Sequence, residues 1–223
     1  MALIISITNE KGGVGKSTVS INLAGILSGN MDSVLLVDSD PQGSTRDWFN
    51  RREKLSADTL KHSNITVPAD PWTSKELLHN IPEESGNYSL IIIDCGPAHD
   101  KITRAALALS HLTIIPITPS PYDIISASKT INLIIEGKKN SKLTVNPYLL
   151  ISRKIVGTVL GDEIRGSLKI FDIPIFKTEI CQRISLCESG IEGKTIDEFT
   201  LNSKATEEFK KLGKEVIKWQ NQN

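Results

Sequence analysis

Short apolar runs recur along the chain, each bounded by polar or turn-forming residues. Five of them, ALIISI, SVLLVD, SLIIID, LTIIPI and PYLLIS, are centred near Ile5, Leu36, Ile92, Ile114 and Leu149. Near-continuous hydrophobicity of this kind is typical of strands buried on both faces of a parallel sheet. We therefore predict an α/β fold, with a doubly wound, mainly parallel sheet, helices on both faces and right-handed crossovers.

The stretches between these runs are long enough for helices. One of them, GKSTVSINLAGILSGN, follows the first strand directly and carries apolar residues at helical spacing. Further helices are predicted over Asp100 to Leu109, Tyr122 to Glu136 and Lys204 to Trp219. The last has one apolar face, formed by Phe209, Leu212, Val216 and Trp219. The more polar stretch from Asn50 to Asn87 is expected to contain helix and loop.

Composition narrows the class of protein. The 223 residues, 39% hydrophobic and 23% charged, suit one large core, so we expect residues 1–223 to form a single domain. No basic leader precedes the first strand, and no apolar stretch approaches the roughly 20 residues that span a bilayer. The three cysteines form no CxxC pair, which fits a reducing cytoplasm and small buried side chains. Lysine plus arginine equals aspartate plus glutamate at 26 each, so binding to nucleic acid would need a local patch.

A glycine-rich loop, NEKGGVGKST, follows the first predicted strand. Glu10 stands where the phosphate-loop pattern GxxxxGK[ST] has its first glycine, but the rest of the pattern is intact. Lys16 is expected to contact the β and γ phosphates of a nucleotide, and Ser17 to offer its hydroxyl to Mg²⁺. A glycine-rich turn that only caps a helix is the alternative. The residues predicted to bind nucleotide here are Gly12, Gly13, Val14, Gly15, Lys16, Ser17 and Thr18.

Carboxylates end two of the predicted strands. Asp38 and Asp40 lie in VDSDPQGS, and Asp94 ends the apolar run of LIIIDCGPA. Such residues face the crevice where a doubly wound sheet binds its ligand. Asp94 has the Walker B arrangement, which holds Mg²⁺ through water. A solvated turn at Asp38 and Asp40, and a helix cap at Asp94, are the competing interpretations.

Three prolines follow the fourth predicted strand, in IPITPSPYD. Because proline stiffens the chain and lacks a donor, Pro116, Pro119 and Pro121 can form a fixed apolar wall for a purine. Simple rigidity of the loop explains them almost as well.

Lys11 lies at the outer rim of the glycine loop, poorly placed to reach phosphates already held by Lys16. Its reach suits a second subunit. With Lys11 in front, KGGVGKST resembles the deviant Walker A box of the ParA/MinD family of ATPases, and VDSDPQ resembles the switch I segment of that family. The resemblance extends to QRISLCESGIEGKTIDE, from Gln182 to Glu198. It is closest to the short plasmid-partition, ParF-like type.

The resemblance implies a P-loop NTPase fold and a Mg²⁺-dependent ATPase that binds ATP and ADP. In such proteins the extra lysine, here Lys11, reaches across an ATP-sandwiched dimer to the neighbour's phosphates. By the same resemblance Asp40 positions or polarises the attacking water, and Asp38 lies in the outer shell of the metal. Pro119 would lie by the adenine and near the dimer contact. Arg153, in LLISRK, replaces the asparagine with which other relatives read the base.

Family members of this kind form a homodimer on ATP, bind DNA non-specifically and respond to a centromere-binding partition protein. Because the motif begins at residue 10, we expect no N-terminal operator-reading region and a chain of the short type. We thus expect a cytoplasmic, nucleoid-associated protein. The basic residues expected to contact DNA are Arg183, Lys204, Lys210, Lys211, Lys214 and Lys218.

Two other functions remain open from the sequence. One is a MinD-like membrane-cycling ATPase whose last helix lies on anionic lipid through its apolar face. The other is a metabolic enzyme on the same fold, such as a nucleotide-dependent amide ligase or reductase. The spacing of the cysteines speaks against the metabolic enzyme, and four apolar residues at the spacing of the last helix more often pack on the core than on lipid.

Overall fold

A six-stranded parallel sheet forms the centre of the protein. The computed structural model describes residues 1–97, 100–140 and 143–223. Within these residues the strand order is β3-β2-β4-β1-β5-β6, and every pairing is parallel. The strands are β1 (Leu3–Ile7), β2 (Val34–Ser39), β3 (Ile65–Thr66), β4 (Leu90–Cys95), β5 (Leu112–Ile117) and β6 (Asn146–Ile151). The predicted fold class is confirmed.

Helices connect the strands and cover both faces of the sheet. They are α1 (Lys16–Ser28), α2 (Ser44–Arg52), α3 (Ser74–Glu84), α4 (Asp100–Leu109), α5 (Pro121–Lys139), α6 (Val159–Leu168), α7 (Ile184–Ile191), α8 (Ile196–Phe199) and α9 (Lys204–Gln220). Among the residues that the structure describes, no helix combines the length and the hydropathy that crossing a bilayer requires.

Successive strand residues point to opposite faces, which explains the unbroken apolar runs. Ile5 packs in a core with α1 and α9, whereas Ile4 packs in a second core with α3 and α4. A third core joins β5 and β6 to α5 and α6 on the face that also carries α4. Because both faces are covered, the strands need apolar residues at every position rather than at alternate ones.

Three details differ from the prediction. The stretch from Asn50 to Asn87 contains β3, so the expectation of helix and loop alone is wrong there. With two residues, β3 is too short to show a strand pattern. The helix predicted from Tyr122 to Glu136 begins at Pro121, because proline is well suited to the first turn after the N-cap Ser120. Cys181 and Cys187 were expected to be buried, but Cys181 is only half-buried and Cys187 is exposed.

The strand order places the candidate chemistry at one edge. β2, β4 and β1 are neighbours, so the loops that follow them meet at the carboxyl end of the sheet. The glycine loop follows β1, while Asp38 and Asp94 lie near the ends of β2 and β4.

Candidate nucleotide-binding site

The glycine loop has the backbone geometry of an anion cradle. Gly13 and Gly15 adopt φ of +78° and +93°, which favour glycine over other residues. Gly15 precedes α1, whose N-terminus has no side-chain cap and no acidic residue in its first turn. Apart from the turn at Gly12 and Gly13, no hydrogen bond of normal geometry is donated by the N–H groups of residues 12–18 within the described part of the chain. This uncapped helix end with free donors fits the phosphates of a nucleotide.

Lys16 is buried beneath this loop. Its Nζ donates a hydrogen bond to the main-chain oxygen of Lys11 at 2.8 Å. Burial lowers the pKa of Lys16, and the negative charges of Asp94 and Asp40 act in the opposite direction. The nearby carboxylates therefore favour a protonated Lys16, the form that binds phosphate.

Asp94 is also buried, and serine and threonine hydroxyls surround it. Its Oδ1 accepts from Ser20 Oγ at 3.1 Å, and its Oδ2 accepts from Thr45 Oγ1 at 2.7 Å. Burial raises the pKa of Asp94 to about 6, and the charge of Asp38 adds to this, whereas hydrogen bonds from Ser17, Thr45 and Ser20 oppose it. A buried carboxylate next to the Ser17 hydroxyl is a donor set suited to Mg²⁺. Ala98, the last residue of the predicted Walker B string, lies outside the described residues.

Asp38 is the register partner of Asp94 across the β2–β4 ladder. Its carboxylate accepts hydrogen bonds from the backbone N–H groups of Asp40 at 2.9 Å, Thr45 at 2.8 Å and Arg46 at 3.0 Å. Asp38 thus fixes the segment from residue 38 to 45 and caps the start of α2. Its predicted place in the outer shell of a metal stays a prediction.

Asp40 lies on the turn that Asp38 holds. Its Oδ1 accepts a hydrogen bond from the backbone N–H of Gln42 at 3.0 Å. The side chain is half-buried, and its charge acts on Lys16. Asp40 is therefore placed beside the expected phosphate position, as a residue that orients water must be.

The other predicted contacts gather on the outer side of the loop. Lys11, Pro119 and Arg153 line one open cavity of about 450 Å³. Arg153 has φ of +52°, unusual for a residue with a side chain, and its guanidinium donates to the main-chain oxygen of Gly13. Val14 is buried and Thr18 half-buried in the loop and the first turn of α1.

Three site residues were missed by sequence reasoning. Ser20 lies one turn after Lys16 on α1, a spacing that could have placed it on the same face. Thr45 contacts Asp94 only because α2 folds back over the carboxyl end of β4. Asp123, in α5, forms an ion pair with Lys11 from 112 residues away, and no local signal predicts that contact.

The last helix, α9, has its apolar face inside the protein. Phe209, Leu212, Val216 and Trp219 belong to the core that α9 shares with α1. Two of its glutamates face the loop before α7: Glu208 pairs with Arg183, and Glu215 accepts the N–H groups of residues 177 and 178. The exposed lysines are Lys204, Lys210, Lys211, Lys214 and Lys218. Arg183 therefore differs from these DNA candidates, because its charge is already paired.

A glycine loop, a buried lysine and strand-end carboxylates at the edge of a parallel sheet define a nucleotide-binding domain of the phosphate-loop class. Comparison with known proteins makes the class specific. The chain belongs to the CobQ/CobB/MinD/ParA nucleotide binding domain family, whose model matches residues 5–196. The resemblance to ParA/MinD ATPases is thereby confirmed.

Individual relatives cover nearly the whole chain. The sporulation initiation inhibitor protein Soj of Bacillus subtilis is 29% identical over 97% of this chain and 98% of its own. The chromosome partitioning protein ParA of Myxococcus xanthus is 29% identical over 96% of this chain and 88% of its own. The solved structure of the septum site-determining protein MinD from Pyrococcus horikoshii, complexed with Mg-ADP, matches with a TM-score of 0.75. Its identity is 21%, with coverage of 99% of this chain and 98% of that one, so it supports the fold alone.

Proposed function

We propose that this chain is a Mg²⁺-dependent ParA-type ATPase of plasmid or chromosome partition, cytoplasmic and associated with the nucleoid. It pairs with a second copy on ATP, binds DNA non-specifically and hydrolyses ATP when a centromere-binding partner stimulates it. The observation that carries this proposal is the separation of the two loop lysines. Lys16 is buried under the loop, whereas the ammonium of Lys11 lies outside it against α5.

The chain's own groups account for the chemistry of a single protomer. The free N–H groups of the loop and the Lys16 ammonium would hold the phosphates, and Ser17 with Asp94 would hold the metal. Mg²⁺ bound there would neutralise charge that develops on the β and γ phosphates. Asp40 would orient the attacking water. The hydrogen bond from the backbone N–H of Asp40 to the carboxylate of Asp38 would hold Asp40 in place.

Exposed apolar side chains beside the cavity support pairing. Tyr122 and Ile125 on α5 and Ile155, Val156 and Leu160 near the start of α6 are exposed. Ile155 and Leu160 line the same cavity as Lys11. A cluster of this kind around a site is typical of a surface that another protein covers. A second copy placed there would bring its own nucleotide within reach of Lys11.

The orientation of α9 favours DNA over a membrane. Its apolar face is buried against α1, so it is not available to enter the lipid interface. Its exposed face carries five lysines, while two of its three glutamates face the loop before α7. Phosphates of any DNA sequence can bind such a row of lysines. The named function of the partition relative agrees with this proposal.

The proposal is tested by measuring molecular mass with light scattering in Mg²⁺ and ATP, in ADP and without nucleotide. The wild-type chain should be a dimer only with ATP. Lys11→Ala should bind ATP, because Lys16 and the loop still contact the phosphates. It should stay monomeric, because the contact between Lys11 and the partner's phosphates is lost. Lys16→Ala, the matched variant of the other lysine, should lose nucleotide binding itself. Equal dimerisation of wild type and Lys11→Ala would exclude a contact in trans by Lys11.

A further inference from the structure

Lys11 is held within its own protomer by Asp123. The Nζ of Lys11 contacts Oδ1 of Asp123, in the first turn of α5. The Asp123 side chain is only 8% exposed, whereas that of Lys11 is 39% exposed. The second oxygen of Asp123 accepts a hydrogen bond from Thr118 Oγ1, which fixes the carboxylate. The carboxylate of Asp123 is therefore fixed in position, whereas the partly exposed side chain of Lys11 is free to move away from it.

A second ion pair joins the same two parts of the chain. Glu10, next to Lys11, lies 3.5 Å from Nζ of Lys129, which is further along α5. In one pair the loop supplies the cation, Lys11, and in the other it supplies the anion, Glu10. The partners of both residues lie on α5. The side chain of Lys129 is exposed to solvent, so its ion pair with Glu10 is weaker than the ion pair between Lys11 and Asp123. The pair of Lys11 and Asp123 thus contributes more to holding the rim of the loop against α5.

We propose that Asp123 is a positioning residue that restrains Lys11 in the nucleotide-free monomer and so sets the threshold for pairing. This rests on the proposed function, in which Lys11 reaches the phosphates of a second protomer. In the proposed dimer, the ammonium of Lys11 would leave Asp123 in order to contact a phosphate of the opposing subunit. The triphosphate carries more negative charge than one carboxylate, so ATP in the partner draws Lys11 away, whereas an empty partner does not.

Asp123→Asn tests this restraint, because asparagine keeps the shape and the acceptor for Thr118 but removes the charge. The first measurement is the rate at which an amine-reactive acetylating reagent modifies Lys11 in the nucleotide-free monomer, followed by peptide mass spectrometry. The variant should raise that rate several-fold relative to the exposed Lys54 in the same sample. An unchanged rate would overturn the ion pair as a restraint, whether or not the chain forms dimers.

The second measurement is the dimer dissociation constant in Mg²⁺ and ATP, by sedimentation velocity. Asp123→Asn should lower it about tenfold, and the Asp100→Asn control, at the exposed first turn of α4, should not. If Asp123 only supports α5, its variant lowers the melting temperature while Lys11 modification and dimerisation stay as in wild type, which overturns the proposal. A wild-type chain that remains monomeric with ATP contradicts the proposed function, whereas the modification rate of Lys11 in the monomer still tests the restraint by itself. Wild-type dimers with an unchanged variant contradict the restraint alone.

Discussion

Gly96 lies directly against Asp40. A methyl group at Gly96 would be 3.0 Å from Cγ of Asp40 and 3.1 Å from its Cα, closer than ordinary carbon contacts. The loop after β4 and the turn after β2 therefore touch at the point where Asp40 is expected to orient water. The φ of Gly96 lies outside the left-handed region, so its backbone conformation does not call for glycine. Glycine is needed here because Asp40 lies too close to leave space for a side chain.

Gly96→Ala should lower ATP turnover about tenfold, because the backbone of Asp40 must shift by a few tenths of an ångström and catalytic geometry is sensitive to such shifts. ATP affinity should stay within about twofold, since the phosphate loop is not involved. Phosphate release and nucleotide binding are the measurements. Gly86→Ala, at a glycine with no atom within 4 Å of the added methyl, is the control. Loss of ATP binding in Gly96→Ala would contradict this account.

Asp40→Ala should trap the ATP-bound dimer. The variant removes the group that orients water but leaves the loop, Lys16 and Lys11 in place, so hydrolysis should fall about a hundredfold while pairing persists. Light scattering over time after ATP addition measures this. Asp47→Ala, at an exposed aspartate in the first turn of α2, should behave as wild type. A variant that is only monomeric in ATP would exclude the role we propose for Asp40.

The sequence predicted the parts of the fold that repeat a local pattern. The runs around Ile5, Leu36 and Ile92 became strands because burial on both faces requires apolar residues at each position. β3 was missed, since two residues at a sheet edge carry no periodicity. The glycine loop and the strand-end carboxylates of Asp38 and Asp94 were also predicted, because each follows an apolar run at a recognisable spacing. Thr45 and Asp123 were not, because their contacts depend on how α2 and α5 fold over distant strands.

Arg52 and Glu198 form a buried bidentate ion pair away from the site. The guanidinium nitrogens lie 2.6 and 2.8 Å from the two carboxylate oxygens, and both side chains are buried. Burial raises the pKa of Glu198, but hydrogen bonds and charge from Arg52, with backbone bonds from Thr195 and His62, outweigh it and lower the pKa to about 2. The pair joins α2 to α8 and so supports the helix that follows the Asp38 turn.

Glu198→Gln should destabilise the fold at neutral pH by about 3 kcal/mol, because it leaves the Arg52 charge buried and unpaired. Since the folded pKa lies below the ordinary value, the carboxylate stabilises the fold above about pH 4.5 and loses that effect as pH falls toward 2. The difference between wild type and variant should therefore shrink across that window. Urea denaturation at several pH values measures it, with the exposed Glu136→Gln as control. A difference that stays constant down to pH 2.5 would contradict the ion-pair origin.

Replacing three lysines of α9, Lys211, Lys214 and Lys218, by glutamine should weaken DNA binding ten- to a hundredfold and make its salt dependence shallower. These side chains are exposed on one stripe, so ATP binding and dimerisation should be unaffected. Lys54, Lys75 and Lys101, exposed elsewhere, provide the matched triple replacement. Co-sedimentation with plasmid DNA and with anionic liposomes, in ATP and in ADP, measures binding to DNA and binding to lipid in the same series. Because Phe209 and Trp219 pack inside the core, neither protein should bind liposomes. ATP-dependent liposome binding without DNA binding would require α9 to detach from α1 and would favour the membrane-cycling function instead.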